Sequence, residues 1–303
     1  MPDVQVEVEG RRLNLTNLDK VLYPATGFTK GQVVDYYTRI APSLLPHLRG
    51  RPLTLKRYPN GVDDKFFYEK QCPKHRPEWV ATAPVWSRHS NRTIEYCLVD
   101  DLPTLVWVAN LASLELHTQL HREDDIDLPT MVAFDLDPGE PAGVLDCARV
   151  ALQLRDVLGD LGLEAWAKTS GSKGMQVYVP LNTPGVTYDD TKGFSHALAQ
   201  LLEKRHPKEV VSVMRKDRRG GKVFIDWSQN DEHKTTVCVY SLRARPEPTA
   251  STPLTWDEVD AAHEAGDADS LKFDAPAVLE RATKHGDRFA PVVELEQRLP
   301  SLS

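Results

Sequence analysis

Cysteine is scarce in this sequence, and no long hydrophobic run occurs. The 303 residues include four widely spaced cysteines and no C-x-x-C pair: Cys72, Cys97, Cys147 and Cys238. This spacing favours neither a disulfide scaffold nor a tetrahedral zinc site, so we expect four reduced thiols. Cys72-Pro-Lys-His75 could offer two zinc ligands, but no second pair accompanies it. No apolar stretch approaches the roughly 18 residues that cross a bilayer, and the N-terminus lacks a secretory signal, so we expect a cytoplasmic protein without membrane association.

The sequence also lacks the positive net charge of proteins that coat nucleic acid. Its formal net charge is −7, whereas binding to phosphate backbones in bulk depends on dense Lys and Arg. The acidic excess lies in residues 254–303, and three basic groups precede it: Arg49/Arg51/Lys56/Arg57, Arg215/Lys216/Arg218/Arg219/Lys222 and Arg243/Arg245. Each basic group is consistent either with a solvated face or with a local contact to phosphate.

Hydrophobic periodicity predicts six helices. The first begins near Lys30, after the capping-box sequence Thr29-Lys-Gly-Gln32, and Pro42 should kink or split it. The other helices are predicted over 105–117, 144–161, 189–202, 256–265 and 276–284.

Alternation of polar and apolar residues predicts five strands. They cover 51–58, 131–137, 173–180, 222–228 and 235–242, and residues 124–129 are predicted to be a polar connector. The order of strands and helices from 131 onward indicates strand–turn–helix units, and no internal repeat is visible.

Three carboxylates stand out on these strands. Asp135 and Asp137 share one face of the strand 131–137, and Asp226 lies in the apolar strand Val223-Phe-Ile-Asp-Trp227. Hard divalent cations prefer carboxylate oxygens together with substrate phosphates. A D-x-D pattern also occurs at glycosyltransferase sites and at solvated strand ends, and a lone Asp in a strand can simply be exposed to solvent, so the pattern alone leaves these alternatives open.

The segment Thr169-Ser-Gly-Ser-Lys-Gly174 leads directly into a predicted strand. Its glycines permit close approach of backbone N–H groups, and its hydroxyls and Lys173 suit a polyphosphate. It lacks the G-x-x-x-x-G-K-[ST] order of a Walker loop and precedes a strand instead of a helix. A tight surface turn is the alternative.

In this order, the D-x-D pair, the SGSKG segment and the strand with a lone Asp resemble the polymerase domain of bacterial ATP-dependent DNA ligase D, in the archaeo-eukaryotic primase superfamily. The similarity covers nearly the whole chain. Its motifs are Leu15-Thr-Asn-Leu-Asp-Lys-Val-Leu-Tyr-Pro24, Gly50-Arg-Pro52, Arg57-Tyr-Pro-Asn-Gly61, Phe134-Asp-Leu-Asp-Pro-Gly-Glu140, Val223-Phe-Ile-Asp-Trp-Ser-Gln-Asn230, Tyr240-Ser-Leu-Arg-Ala-Arg245 and Pro253-Leu-Thr-Trp-Asp-Glu258.

The resemblance implies roles for individual residues. Asp135, Asp137 and Asp226 would be the catalytic carboxylates, holding Mn²⁺ or Mg²⁺. The nucleotide-binding residues would be Lys56, His117, Ser170, Gly171, Ser172, Lys173, Gln176, Arg219, Gln229 and Arg243. A DNA 5′-phosphate would be held by Asn17, Lys20 and Lys30, with the positive end of a helix adding to the two ammonium groups. Template bases would stack on Phe66, Phe67 and Tyr68, although three aromatics in a row also suit a core strand.

One position departs from the family pattern. The family usually has a His where this chain has Gln176, so a side chain that can carry charge is replaced by an amide that cannot. The chain also contains no K-x-D-G ligase motif, and we expect a stand-alone polymerase.

The resemblance implies an α/β fold: a primase-type catalytic core with mixed β-sheets flanked by helices, plus an N-terminal αβ module. The predicted divisions are 1–130 for the N-terminal module, 131–245 for the catalytic core and 246–303 for a connector and acidic helices. The implied function is template-directed filling of short gaps at DNA breaks, from nucleoside triphosphates and with a preference for ribonucleotides. Gapped or broken DNA with a 5′-phosphate, Ku and a separate ATP-dependent ligase would be partners in a nucleoid-associated setting. The alternative is a DNA-end-binding module with weak or lost polymerase activity.

Overall fold

Two six-stranded sheets form the framework of the chain in a computed structural model, which describes residues 3–87 and 90–300. Each sheet belongs to one of two units. The described residues of Met1–Asp124, Thr235–Ala250 and Asp274–Asp287 form the first unit, and those of Asp125–Lys234, Ser251–Phe273 and Arg288–Ser303 form the second. The α/β class predicted from the sequence is confirmed.

The first unit is built on a sheet with the strand order β17-β9-β5-β8-β7, and β6 also pairs with β5. Two small hairpins, β1-β2 and β3-β4, accompany it. Its strands are β1 (Val4–Val8), β2 (Arg11–Leu15), β3 (Val21–Tyr23), β4 (Phe28–Thr29), β5 (Leu53–Arg57), β6 (Phe67–Glu69), β7 (Thr82–Ser87), β8 (Arg92–Cys97), β9 (Ser113–Thr118), β10 (His121–Arg122) and β17 (Thr236–Val237). Its helices are α1 (Lys30–Leu48), α2 (Leu102–Asn110) and α6 (Ala275–His285).

The second unit is built on a sheet with the strand order β15-β16-β12-β14-β13-β18. All neighbours in it are antiparallel except β15 and β16. Its strands are β11 (Asp125–Pro129), β12 (Met131–Pro138), β13 (Trp166–Thr169), β14 (Met175–Pro180), β15 (Val210–Val211), β16 (Val223–Asp226) and β18 (Pro253–Leu254). Its helices are α3 (Val144–Asp160), α4 (Tyr188–Arg205), α5 (Trp256–Ala265) and α7 (Pro291–Glu294).

Strand β12 divides the core of the second unit from its polar face. Val132, Phe134 and Leu136 are fully buried in one apolar cluster with residues of α3 and α4. Because successive side chains of a strand point to opposite faces, Asp135 and Asp137 lie on the other side of the sheet. Apolar burial on one face therefore fixes the direction of the two carboxylates.

Helix α1 begins as the sequence predicted. The Thr29 hydroxyl accepts a hydrogen bond from Gln32 N, and the Gln32 side chain accepts one from Thr29 N, which completes the capping box. The helix continues through both Pro42 and Pro46 to Leu48, so the prediction that Pro42 could split it is wrong. Buried apolar residues on both sides of Pro42, among them Ile40 and Leu44, anchor the helix to the core.

Two segment predictions are wrong. The helix predicted over 105–117 ends at Asn110, and after a turn with Ala112 at φ 57° the chain enters strand β9. Both faces of β9 are largely buried, so Leu116 falls at helical spacing from Val108 and Ala112 although it lies on a strand. The predicted connector 124–129 contains strand β11, in which Asp125, Ile126, Asp127 and Leu128 alternate.

Strand lengths differ from the predictions elsewhere. The segment 235–242 forms a strand only over Thr236–Val237, because the chain then turns through Tyr240 at φ 63°. The segment 222–228 ends its strand at Asp226, where a 3₁₀ turn over Trp227–Gln229 begins.

The prediction of four reduced thiols is also wrong. Cys72 and Cys97 form a disulfide, whereas Cys147 and Cys238 are reduced and buried. Cys72 N donates to Glu95 O, which lays the segment before Cys72 along strand β8 and brings the two sulfurs together. This contact between distant segments is invisible in the spacing of the cysteines.

The division into units follows contacts and not the order of the sequence. Residues 235–250, within the predicted core range 131–245, join the first unit because β17 pairs with β9. Residues 274–287, within the predicted range 246–303, return to the first unit, where α6 packs on α1. No helix in the described ranges is both long and apolar enough to cross a membrane.

Candidate active site

The three predicted carboxylates lie on neighbouring strands of the second unit. Asp135 on β12 is directly opposite Asp226 on β16, and Asp137 follows two residues later on the same strand as Asp135. Burial, and then the neighbouring charges of Asp226 and Asp137, raise the pKa of Asp135 to about 6, against the hydrogen bond from Gln176 that lowers it. The carboxylates therefore form a concentration of negative charge at the ends of two strands.

Each carboxylate accepts hydrogen bonds from the protein. Gln176 Nε2 donates to Asp135 Oδ1 at 3.0 Å, and Arg219 Nη1 lies 3.1 Å from Asp137 Oδ2. Asp226 caps the 3₁₀ turn that follows it: Ser228 N and Oγ donate to its Oδ1, and Gln229 Nε2 donates to its Oδ2 at 3.0 Å. These hydrogen bonds orient each carboxylate.

The donor set fits a hard divalent cation. Carboxylate oxygens are the ligands that Mg²⁺ and Mn²⁺ prefer, and a nearby cation would relieve the mutual repulsion that raises the pKa of Asp135. Gln229 Oε1 is a buried acceptor that receives no hydrogen bond from the described residues, so a further oxygen is available beside Asp226. Within residues 3–87 and 90–300, however, no three His, Cys, Asp or Glu side chains are gathered closely enough to enclose a metal ion. Binding of one cation by all three carboxylates would therefore require them to move closer together, and it would compete with the ion pair between Asp137 and Arg219.

Arg219 forms an ion pair with Asp137, whereas the resemblance assigns Arg219 to nucleotide binding. Its guanidinium stacks 3.7 Å from the centre of the Phe224 ring, and its Nη2 donates to Met214 O at 2.7 Å. Gly139 permits this placement, because a Cβ there would lie 2.0 Å from Arg219 O. Arg219 is thus positioned to counter negative charge near Asp137.

The SGSKG segment forms a tight turn between β13 and β14. The Ser170 hydroxyl accepts hydrogen bonds from Ser172 N and Gly174 N, both at 3.2 Å, and Gly171 has φ 67°. Lys173 is exposed and forms a surface ion pair with Glu140 at 3.0 Å. Exposed pairs of this kind contribute little, so the Lys173 ammonium can exchange Glu140 for a phosphate.

Gln176 and Lys168 extend the polar face across the sheet. Gln176 Oε1 accepts a hydrogen bond from Lys168 Nζ, while its Nε2 donates to Asp135. Both ends of the amide are therefore engaged within the protein, whereas the resemblance places Gln176 at the nucleotide. Lys168 is not among the residues predicted from the sequence; the available signal is a lysine in the buried strand Trp166–Thr169, where lysine is rare.

In the first unit, three proposed nucleotide ligands surround one buried carboxylate. Glu115 accepts from Lys56 Nζ at 3.3 Å and from His117 Nε2 at 2.9 Å, and Arg243 Nε lies 3.5 Å away. Burial raises the pKa of the Glu115 carboxyl, but the His117 hydrogen bond and the charges of Arg243 and Lys56 outweigh it and hold the pKa below its usual range. Burial lowers the pKa of His117, and Glu115 opposes that effect. Glu115 is not among the residues predicted from the sequence; the available signal is a carboxylate between Leu114 and Leu116.

The proposed 5′-phosphate residues line one pocket of the first unit. The pocket has a volume of about 600 Å³, and its walls include Asn17, Lys20, Lys30, Arg57 and Arg12. Burial, followed by the charges of Lys20 and Arg57, lowers the pKa of Lys30 to about 8. The structure thus brings the three predicted residues together within a cationic pocket.

The N–H groups at the start of α1 do not face this pocket freely. Lys30 N donates to Lys20 O and Gly31 N to Leu18 O, both at 2.8 Å, and Gln32 N bonds to the Thr29 hydroxyl. Lys30 Nζ also donates to Thr16 O at 2.6 Å. A bound phosphate would therefore depend mainly on side chains, with Lys20, held at 2.8 Å by Asn60 Oδ1, the more accessible ammonium.

The three consecutive aromatics form a surface and not a core strand. Phe66, Phe67 and Tyr68 are 49%, 42% and 55% exposed. Lys56 Nζ lies 4.5 Å from the centre of the Phe66 ring, and the Arg57 guanidinium lies 5.1 Å from that of Phe67. Exposed rings flanked by cations are typical of surfaces on which bases stack.

Comparison with known proteins matches the chain to one family. The family model described as LigD, primase-polymerase domain, matches residues 29–289. The chain belongs to the LigD primase-polymerase family. It is 44% identical over 283 residues to the multifunctional non-homologous end joining protein LigD of Mycolicibacterium smegmatis, covering 93% of this chain and 36% of that protein. It is 42% identical over 285 residues to the LigD of Mycobacterium tuberculosis H37Rv, covering 91% and 36%.

A solved structure supports the same assignment. The polymerase domain from Mycobacterium tuberculosis Ligase D, in complex with DNA, superposes with a TM-score of 0.86 at 40% sequence identity, covering 94% of this chain and 99% of that one. The resemblance to the LigD polymerase domain predicted from the sequence is confirmed. This primase-polymerase chain spans about a third of the length of the LigD relatives that it matches.

Proposed function

We propose that this chain is a metal-dependent, template-directed polymerase that fills short gaps at DNA breaks and prefers ribonucleotides. A primer 3′-hydroxyl would attack the α-phosphate of a nucleoside triphosphate, forming a phosphodiester bond and releasing pyrophosphate. The observation that carries the proposal is the register of Asp135 opposite Asp226, with Asp137 beside them, in a member of the LigD primase-polymerase family.

The second unit would supply the chemistry. Asp135, Asp137 and Asp226 would hold Mn²⁺ or Mg²⁺, which when bound neutralises phosphate charge and favours ionisation of the attacking hydroxyl. Arg219 would leave Asp137 and counter the charge that develops on the pyrophosphate. Lys173 would exchange its exposed contact with Glu140 for the triphosphate, supported by Ser170, Gly171 and Ser172.

The first unit would bind DNA. Its cationic pocket suits a dianionic 5′-phosphate through Lys20, Lys30 and Asn17, and the exposed aromatic segment suits template bases. Lys56, His117 and Arg243 remain proposed contacts to the nucleotide. The DNA bound to the Mycobacterium tuberculosis polymerase domain supports a nucleic-acid substrate for this chain.

The setting proposed for this activity is the joining of broken DNA ends in a nucleoid-associated, cytoplasmic context. The names of the LigD relatives refer to non-homologous end joining, which supports this setting. Ku and an ATP-dependent ligase on a separate chain are the proposed partners.

Extension of a labelled primer across a one-nucleotide gap tests the proposed function. We expect addition of one nucleotide in the presence of Mn²⁺ or Mg²⁺, faster with a downstream 5′-phosphate than with a 5′-hydroxyl, and faster with ribonucleotides than with deoxyribonucleotides. EDTA should stop the reaction. Absence of extension with either metal on phosphorylated gaps would refute the polymerase proposal.

The Lys20→Ala variant tests the 5′-phosphate pocket. Lys20 is exposed and its Nζ donates a hydrogen bond to Asn60 Oδ1, so its removal should leave the fold intact. Loss of one charge-assisted hydrogen bond should weaken binding of a 5′-phosphorylated gap about 10-fold, with little effect on a 5′-hydroxyl gap. Fluorescence anisotropy with both DNAs measures the difference, and Lys284→Ala on α6 is the matched control. Equal weakening on both DNAs would assign Lys20 a general electrostatic role and contradict the pocket.

A DNA-end-binding module with little turnover is the second candidate. The observation in its favour is that every one of the three carboxylates is already engaged by Gln176, Arg219, Ser228 or Gln229. Tight gel-shift binding to phosphorylated gaps without extension, restored by Gln176→His, would support it. Extension by the unaltered chain as fast as by Gln176→His would exclude it.

A further inference from the structure

Four polar side chains form a row across four adjacent strands of the second unit. Lys168 on β13 is in register with Gln176 on β14, Gln176 with Asp135 on β12, and Asp135 with Asp226 on β16. Residues directly opposite one another in antiparallel strands point to the same face of the sheet. A cation therefore begins the row that ends in the proposed metal-binding carboxylates.

Lys168 is built into the sheet. The residue is only 1% exposed, and its Nζ donates to Gln176 Oε1 and, at 2.7 Å, to Ser251 Oγ. The Ser251 hydroxyl in turn donates to Thr169 O at 2.8 Å, and the ammonium lies 5.4 Å from the centre of the Tyr178 ring. These contacts hold the ammonium at one place.

The ammonium decides which way the Gln176 amide points. A lysine ammonium can only donate, so it binds the amide oxygen and not the amide nitrogen. The Nε2 group must then face the other way, where it donates to Asp135 Oδ1 at 3.0 Å. A reversed amide would set its nitrogen against the ammonium and its oxygen against the carboxylate, two repulsive contacts.

We propose that Lys168 is a positioning residue, which acts through the Gln176 amide to hold the Asp135 carboxylate in the orientation that binds a divalent cation. This inference rests on the proposed function, because it takes Asp135 as a metal ligand. It explains how an uncharged Gln can orient a carboxylate. The positive charge lies on Lys168, one strand further along, and the Lys168 ammonium orients the Gln176 amide so that its Nε2 donates to Asp135. Substitution of a residue that hydrogen-bonds to a metal ligand typically lowers metal affinity 10- to 100-fold.

A double-mutant cycle on metal binding tests the inference without DNA or nucleotide. The variants are Lys168→Met, Gln176→Leu and their combination, and Mn²⁺ affinity is measured by calorimetry. We expect each single variant to weaken Mn²⁺ binding about 10-fold and the double variant to bind no more weakly than Gln176→Leu alone, because Lys168 acts through Gln176. Unchanged affinity in Lys168→Met, or additive losses in the double variant, would overturn the inference.

A spectroscopic measurement reports the amide directly. In an NMR spectrum of the metal-free protein, the side-chain amide signal of Gln176 is identified by its loss in Gln176→Leu. Its chemical shift should differ from that of an exposed Gln, and its protons should exchange slowly with solvent. In Lys168→Met, the chemical shift of this signal should approach that of an exposed Gln. In the control Lys204→Met, which replaces an exposed lysine of α4, the chemical shift should not change. No movement in Lys168→Met would contradict the role of Lys168.

Two further variants separate the possible failures. If Lys168→Met does not fold by circular dichroism, Ser251→Ala takes its place: it removes one acceptor of Lys168 and should weaken Mn²⁺ binding several-fold in the unaltered background but not in Gln176→Leu. Equal weakening in both backgrounds would refute the inference. Asp135→Asn examines the metal site itself: undiminished Mn²⁺ binding there would overturn the proposed function, whereas loss in Asp135→Asn without loss in Lys168→Met overturns only the role of Lys168.

Discussion

Asp226→Asn should reduce nucleotide addition at least about 1,000-fold while leaving DNA binding in place. The substitution keeps the size of the side chain and an oxygen that can accept from Ser228, but it removes the negative charge opposite Asp135. Loss of about 4 kcal/mol of transition-state stabilisation corresponds to a factor of this size. Single-turnover extension of a gapped primer measures it, with gel shifts on the same DNA.

The control for Asp226→Asn is Asp156→Asn on α3. Asp156 is 67% exposed and forms a surface ion pair with its neighbour Arg155, so its loss should not alter extension. Extension by Asp226→Asn within about threefold of the unaltered chain would remove Asp226 from the chemistry. A loss shared equally by both variants would indicate a general effect on charge or folding.

Glu115→Gln should lower the free energy of unfolding of the first unit by about 3–5 kcal/mol. Its side chain is 3% exposed and accepts hydrogen bonds from Lys56, His117 and the Ala244 backbone N–H, with Arg243 alongside. Removing one member of a buried ionic cluster leaves the others as uncompensated buried charges. Urea denaturation followed by the fluorescence of Trp107 and other first-unit tryptophans measures the change.

The same residue makes the first unit sensitive to acid. The pKa of Glu115 is depressed in the folded state, so its contribution to stability is complete above about pH 4.3, the ordinary Glu value, and is lost as the pH falls through the lower folded value. We expect the unaltered chain to lose stability more steeply below pH 4 than Glu115→Gln does. The control Asp35→Asn, which breaks an exposed pair with Arg39, should change stability by less than about 1 kcal/mol. Identical acid profiles for Glu115→Gln and the unaltered chain would contradict the assignment.

The sequence predicted best where one physical pattern was sufficient. The alternation in Met131–Pro138 fixed the face of Asp135 and Asp137, and the capping box fixed the start of α1 at Lys30. The family resemblance added what alternation could not, namely that Asp226 would lie beside Asp135 and Asp137. The register of β12 with β16 places Asp226 directly opposite Asp135.

The sequence predicted least where distant segments determine the outcome. Leu105, Val108, Ala112 and Leu116 recur at helical spacing, although Leu116 lies on β9, a strand that is largely buried on both faces. Lys168 and Glu115 carry charges in buried strands. Their neighbouring sequence does not show which hydrogen-bond and ion-pair partners offset the cost of burying these charges. The disulfide between Cys72 and Cys97 likewise depends on how distant segments align beside β8, which local composition does not predict.

The two units share one chain in an interleaved manner: the boundary between them is crossed after Asp124, Lys234, Ala250, Phe273 and Asp287. No single cut of the backbone therefore releases either unit whole, and a shortened form that stops before residue 274 would deprive the first unit of α6. Fragments made by terminal deletion are poor tools for assigning activities to one half. Point substitutions, or circular permutants that keep every segment, are the suitable means of dissecting this polymerase fold.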